Sequence, residues 1–242
     1  MKRIIVTRSL DDVDRLAKRL ASAGYSPIKL PLLAIEATAN TVHLGNMPPE
    51  TSSLIFTSVN AVRYGLSKTA EAIKQAGLAV IAVGSKTRDE LHMNGVSAEC
   101  PEREDSEGVL ALLADLPQLP THILLVKGQG GRDLIESRVP SLGIQLSTFE
   151  CYRRVWPDIP KAVFTEAVAP DKPGLIHIAS GETMVRLTDL CRSFHVEVQE
   201  SHHLIVPSQR VADQARELGW HSRIVAAGAG DDALLQVMKQ LS

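Results

Sequence analysis

Residues 3–33 (RIIVTRSLDDVDRLAKRLASAGYSPIKLPLL) return about half a chain later as residues 122–152 (HILLVKGQGGRDLIESRVPSLGIQLSTFECY). At one constant offset Gly24 pairs with Gly143, Arg8 with Lys127, Asp14 with Asp133, Arg19 with Arg138 and Ser22 with Ser141. The apolar pairs Ile4/Ile123, Leu16/Ile135 and Leu20/Val139 stay in register. Solenoid units recur every ~20–50 residues, so a spacing this wide points to a duplicated domain. A duplicated domain commonly holds its ligand between the copies.

The chain is long enough for two small domains. Its 44% hydrophobic residues include few aromatics (4%), so Ala, Val, Leu and Ile carry the core, as suits helices packed on sheets. A formal net charge of −2 argues against a broad nucleic-acid or anionic-membrane surface, which needs a basic excess. Local groups can still hold a small anion. Cys100, Cys151 and Cys191 are widely spaced and odd in number, which predicts a reducing, cytoplasmic setting without disulfides. The opening MKRIIVTRS has too short an apolar run for a signal peptide, and no stretch approaches a membrane span.

Short apolar runs predict strands at 3–7, 54–57, 80–83, 122–126, 174–179, 203–206 and 223–227, with longer ones near 28–35 and 144–152. Between them lie helical spacings at 10–23, 60–76, 86–94, 106–115, 131–139, 181–194, 209–218 and 229–241. In the first, Val13, Leu16, Ala17 and Leu20 share a face, Ser9 is a candidate cap and Gly24 a stop. This alternation predicts an α/β fold with parallel sheets. The repeat extends weakly: 54–62 answers 175–185, and 80–91 answers 204–215. Two stretches rich in Pro and polar residues, about 36–53 and 153–173, fall at equivalent places and are expected to be linkers. Two linkers imply two crossings. Residues 1–35 plus 156–242 are therefore expected to form one discontinuous domain, and 37–152 the other.

In open parallel sheets, ligands bind beyond the carboxyl ends of the strands, where loops enter helix N-termini. The turns there offer Arg8; Ser58 and Asn60; Ser85, Lys86 and Thr87; Lys127, Gly128, Gly131 and Arg132; Ser180 and Gly181; and Ser208 and Arg210. These hydroxyls, cations and free amides can hold several carboxylates. Ser and Thr at such turns also serve as plain helix caps. The run GQGGRD follows a strand but fits neither GxxxxGK[ST] nor GxGxxG. His177, His195, His202, His203 and His221 lack a metal-ligand spacing, so no metal site is expected. Cys151 reads as core. Tyr152 ends the second copy, in FECYRRVWP, and brings a phenol able to donate a proton to a domain junction.

Together these segments resemble the uroporphyrinogen-III synthase family over essentially the whole chain. The matching stretches are IIVTRS (4–9), LIFTSVNAV (54–62), AVGSKTRDEL (82–91), EDSEGVLALL (104–113), LLVKGQGGRDLIESRVPSLG (124–143), FECYRR (149–154), IASGETMVRL (178–187) and IVPSQRVADQARELG (205–219). The resemblance implies two flavodoxin-like domains joined by a two-stranded β-ladder hinge, with the active site in the cleft between them. It implies a monomeric, cofactor-free lyase that closes hydroxymethylbilane, a linear tetrapyrrole with eight carboxylates, to uroporphyrinogen III. Water is lost, and the last ring inverts through a spiro-pyrrolenine. The family's hinge tyrosine corresponds to Tyr152, and its turn residues to Ser58, Thr87 and Ser180. Lys127 stands where the family often has arginine, and PSQR at 207–210 lacks a threonine. A second reading of the same organisation is a non-catalytic two-domain receptor for a small anion, closing by a hinge.

Overall fold

The structure, a computed structural model, describes residues 2–42 and 52–241. Residues 43–51 of the expected linker 36–53, and the terminal Met1 and Ser242, lie outside the described residues. In chain order the elements are β1 (Arg3–Val6), α1 (Leu10–Ser22), β2 (Ser26–Lys29), β3 (Ala34–Ala37), β4 (Ser52–Phe56), α2 (Val59–Ala76), β5 (Ala79–Ala82), α3 (Ser85–Met93), α4 (Ser106–Ala114), β6 (His122–Gly128) and α5 (Leu134–Arg138). They continue with β7 (Gln145–Val155), α6 (Lys161–Ala167), β8 (Leu175–His177), α7 (Gly181–Phe194), β9 (His203–Val206), α8 (Gln209–Glu217), β10 (Arg223–Val225) and α9 (Asp231–Gln240). The chain divides into two compact units: Met1–Ile35 with Val155–Ser242, and Glu36–Arg154.

The first unit's sheet runs β10-β9-β8-β1-β2, all parallel. Taken in chain order its strands follow the doubly wound order 2-1-3-4-5. Side chains alternate across it: Ile5 meets α6, α7 and α8 on one face, whereas Ile4 and Val6 meet α1 and α9 on the other. Trp220, fully buried, donates its indole N–H to Thr188 Oγ1 at 3.0 Å, so its one polar atom is satisfied inside the core.

The second unit's sheet runs β3-β7-β6-β4-β5, with β4, β5, β6 and β7 parallel. Ile55, Ile81, Ile123 and Leu125 pack beneath α4 and α5. The repeat is written into both orders. The β1 and β2 of the first copy answer β6 and β7 of the second, while β4 and β5 answer β8 and β9. On that mapping β2-β1-β8-β9 and β7-β6-β4-β5 coincide. Even β10 has a counterpart, because Glu99 bridges parallel to Ile81 beyond β5. The two sheets share an order but cut it from the chain at different points.

Four local expectations differ. The strand near 28–35 is two strands, because Pro31 has no N–H to continue the ladder after the Leu30 amide bonds to Val6 O at 3.0 Å. The helix expected at 131–139 starts only at Leu134, since Gly130 and Gly131 take φ of +72° and +90°, outside the helical region. The expected linker 153–173 is partly regular: β7 runs on to Val155, and α6 buries Phe164 and Ala167. Ser9 stands at the cap position of α1 without a side-chain cap, its hydroxyl turned to Asp12 Oδ2 at 3.4 Å.

Candidate active site

In a doubly wound sheet the loops diverge where the winding reverses, which opens a crevice at the carboxyl ends of the two central strands. In the second unit those strands are β4 and β6. A pocket of about 220 Å³ lies there, lined by Thr57 and Ser58 after β4, Lys127 to Arg132 at the end of β6, Glu136 of α5, and Tyr152 and Arg154 of β7. Ser58 caps α2, its Oγ accepting the Ala61 amide at 3.0 Å, and the same Oγ lies 3.0 Å from the Tyr152 hydroxyl. Tyr152 is 6% exposed, and its ring tilts against Tyr64 of α2, with ring centroids 6.0 Å apart.

A bulge aims the phenol. Lys127 pairs with Glu150 but Gly128 pairs with Tyr152, so Cys151 is an extra residue on β7. Cys151 points at α2, its thiol donating to Lys127 O at 3.4 Å and lying 3.7 Å from Ala61 O. Burial pushes that thiol up to about 11, which keeps it protonated and inert. After the extra residue, Tyr152 also faces α2.

Charge in the pocket is arranged rather than simply positive. Lys127, nearly buried, is bonded to Glu136. Arg132 is exposed and 3.8 Å from Glu107. Beside the pocket, Arg153 pairs with Glu36 at 3.1 Å. At the neighbouring turn, Gly84 gives α3 no side-chain cap, and the Ser85 amide donates instead to Glu104 Oε2 at 3.0 Å. The Ser85 hydroxyl and amide hold the Glu104 carboxyl below its ordinary range. Thr87 is buried in the first turn of α3, Lys86 is exposed and Asn60 is half-buried at the start of α2. Of the residues expected from sequence in this unit, the pocket therefore gathers Ser58, Lys127, Gly128, Gly131, Arg132 and Tyr152. Asn60, Ser85, Lys86 and Thr87 stand outside its lining.

The remaining candidates belong to the first unit. Arg8 is committed to Asp231 at 3.2 Å and to Ala229 O, and Arg15 and Arg19 share the same buried carboxylate. His177, at the end of β8, has no hydrogen-bond partner for Nδ1 among the described residues. Burial, reinforced by Arg8, drops it to about 3. Ser180 and Thr183 form a reciprocal capping box on α7, and Ser208 caps α8 by accepting the Val211 amide at 3.5 Å. Gly181 and the exposed Arg210 are brought together across Gln214. Ser58, Ser180 and Ser208 thus cap their helices, whereas Ser9, at the equivalent position of α1, does not.

Sequence reasoning did not single out Tyr64, Glu104 or Glu136. Their signals are faint: Tyr64 looks like a helix-face aromatic, and the two glutamates meet partners on other elements. Among the described residues, no three or more His, Cys, Asp and Glu side chains are grouped to hold a metal ion. No helix there is long and apolar enough to cross a membrane.

A family model described as uroporphyrinogen-III synthase HemD matches residues 14–236. The chain belongs to the uroporphyrinogen-III synthase family. The family enzyme of Salmonella typhimurium is 29% identical over 256 aligned residues, covering 98% of this chain and 99% of that protein. That of Escherichia coli K12 is 27% identical over 250, with the same coverage. The crystal structure of uroporphyrinogen-III synthetase from Helicobacter pylori 26695 shares the fold, at TM-score 0.67 and 14% identity, over 100% of both chains. Membership in this synthase family makes the chain a cyclising lyase of tetrapyrrole biosynthesis and favours catalysis over the small-anion receptor.

Proposed function

We propose that the chain converts hydroxymethylbilane to uroporphyrinogen III, with Tyr152 as the proton donor. The phenol O–H protonates the substrate hydroxyl, the carbon–oxygen bond breaks, water leaves and an azafulvenium cation remains. The Ser58 O–H can then turn to donate to the phenolate, from the positive end of α2. Ring closure through the spiro-pyrrolenine ends with loss of a ring proton, which returns to the phenolate, so the net change is one water lost. The observation that carries this assignment is the buried phenol beside Ser58 in a pocket at the winding reversal of the second unit.

In this scheme carboxylates are taken by turns of both units, through Arg8, Ser180, Gly181, Ser208 and Arg210 in one and Ser58, Asn60, Ser85, Lys86, Thr87, Lys127, Gly131 and Arg132 in the other. The capping serines hold the first turns of their helices in place, which supports recognition of carboxylates by the remaining first-turn amides. We take the two domains as 1–35 plus 156–242 and 37–152, with β3 and β7 as the two-stranded ladder where the chain passes between them. We take the protein as a cytoplasmic monomer that engages neither nucleic acid nor membrane: the net charge of −2 supports the absence of a broad anionic-polymer surface, and the odd, widely spaced cysteines of the sequence support a reducing compartment.

Incubating the protein with hydroxymethylbilane and separating the isomers tests this. The type III isomer is expected. Type I alone, at the rate without protein, would overturn it.

A further inference from the structure

Gly128 stands among the expected substrate ligands, yet the space a side chain there would take is filled by the tyrosine. A Cβ built on Gly128 would lie 2.4 Å from Tyr152 Cζ, 2.5 Å from Cε2 and 2.9 Å from the hydroxyl oxygen. Real Cβ atoms do not approach other heavy atoms so closely. The ring therefore lies flat on the bare backbone of Gly128.

We propose that Gly128 is a positioning residue: it acts on the reaction through Tyr152, and its missing side chain fixes where the phenol oxygen stands. The bulge and the glycine are two halves of one device. Without Cys151 as the extra residue, Tyr152 would turn to the opposite face of the sheet, where Lys127 meets Glu136. With the extra residue the ring turns to α2, and only a glycine at the facing position leaves room for it. The Gln129 amide then bonds to Tyr152 O at 2.8 Å and pins the backbone behind the ring. Tyr64 and Ser58 close the other sides, so an added methyl must displace the hydroxyl itself.

This role rests on Tyr152 being the proton donor proposed above, and the test separates the two claims. Gly128→Ala, Tyr152→Phe and the double variant are compared for kcat, KM and isomer ratio. Displacement of a reacting group by about 1 Å costs on the order of 10²-fold in rate. Gly128→Ala is expected to lower kcat by about that factor with little change in KM, and to cost almost nothing further in the Tyr152→Phe background. An equal factor in both backgrounds, or a raised KM at unchanged kcat, overturns the inference. The ring signals of Tyr152 in NMR of tyrosine-labelled protein, assigned with Tyr152→Phe, give a reading independent of activity. A shift in Gly128→Ala supports the contact and an unmoved signal sinks it. Full kcat in Tyr152→Phe removes the proton-donor role, and the NMR shift alone then decides the contact. Should Gly128→Ala fold poorly, Tyr152→Ala is added: recovery of stability supports the contact, and continued instability refutes it.

Discussion

The hydroxyls of Tyr152 and Ser58 lie 3.0 Å apart, and Ser58 spends a lone pair on the first turn of α2. The two groups are thus unequal. Tyr152→Phe keeps the packed ring and removes the proton, so kcat is expected to fall by roughly 10²- to 10⁴-fold. Ser58→Ala removes a cap worth about 1 kcal/mol and is expected to slow turnover less. Isomer-resolved kinetics beside thermal unfolding measure both. Equal kinetic losses would show that the serine, too, moves the proton.

Lys127 and Glu136 form a partly buried ion pair, with side chains 10% and 25% exposed. Removing one partner strands the other in the pocket wall. Lys127→Met is expected to destabilise by roughly 1–3 kcal/mol, and Lys127→Met with Glu136→Leu to regain most of it. Urea midpoints decide; a double variant no better than the single would mean the pair carries no desolvation penalty.

His177, His202 and His122 are buried, and burial is the first cause holding each below the usual histidine value; for His177 the value is about 3. Arg8 reinforces this at His177 and Asp231 opposes it. Below pH ~6.5 the unfolded chain binds protons that the folded chain refuses, so stability falls as pH falls. For His177 the loss runs from about 6.5 down to about 3, at up to about 1.4 kcal/mol per pH unit. Denaturant titrations from pH 8 to 5 should show it, and His177→Asn should flatten the curve. An unchanged slope in that variant would place the acid sensitivity elsewhere.

Glu104 already occupies the Ser85 amide that sequence assigned to substrate. A substrate carboxylate using that turn must displace it. Glu104→Gln is therefore expected to lower KM a few-fold with kcat unchanged. An unchanged KM would leave Glu104 as a cap and remove the α3 turn from the binding surface.

How far the sequence could be read follows from what each feature needs. Strands such as His203–Val206 and helices such as Gly181–Phe194 coincide with expectation because apolar period and caps are local signals. Helix α6 was hidden because only Phe164 and Ala167 face the core across its seven residues, amid prolines and charges. Tyr152 was visible from its place at the end of a repeat. What surrounds it was not: the bulge depends on how β7 registers against β6, and Glu136 and Glu104 depend on packing between elements. Such features are set by tertiary contact and leave no period behind.

The shared strand order, cut at different points of the chain, also sets a timetable for synthesis. Glu36–Arg154 is continuous and can close its sheet while later residues are still being made. The elements β1, α1 and β2 leave the ribosome before it, but β8, the other neighbour of β1, follows only after that whole unit. Ile4, Ile5 and Val6, fully buried in the finished fold, wait through the interval with one edge of their strand unpaired. Duplication thus gave two sheets of one design and opposite histories: one matures as it emerges, and the other must keep its first strand available for its last three.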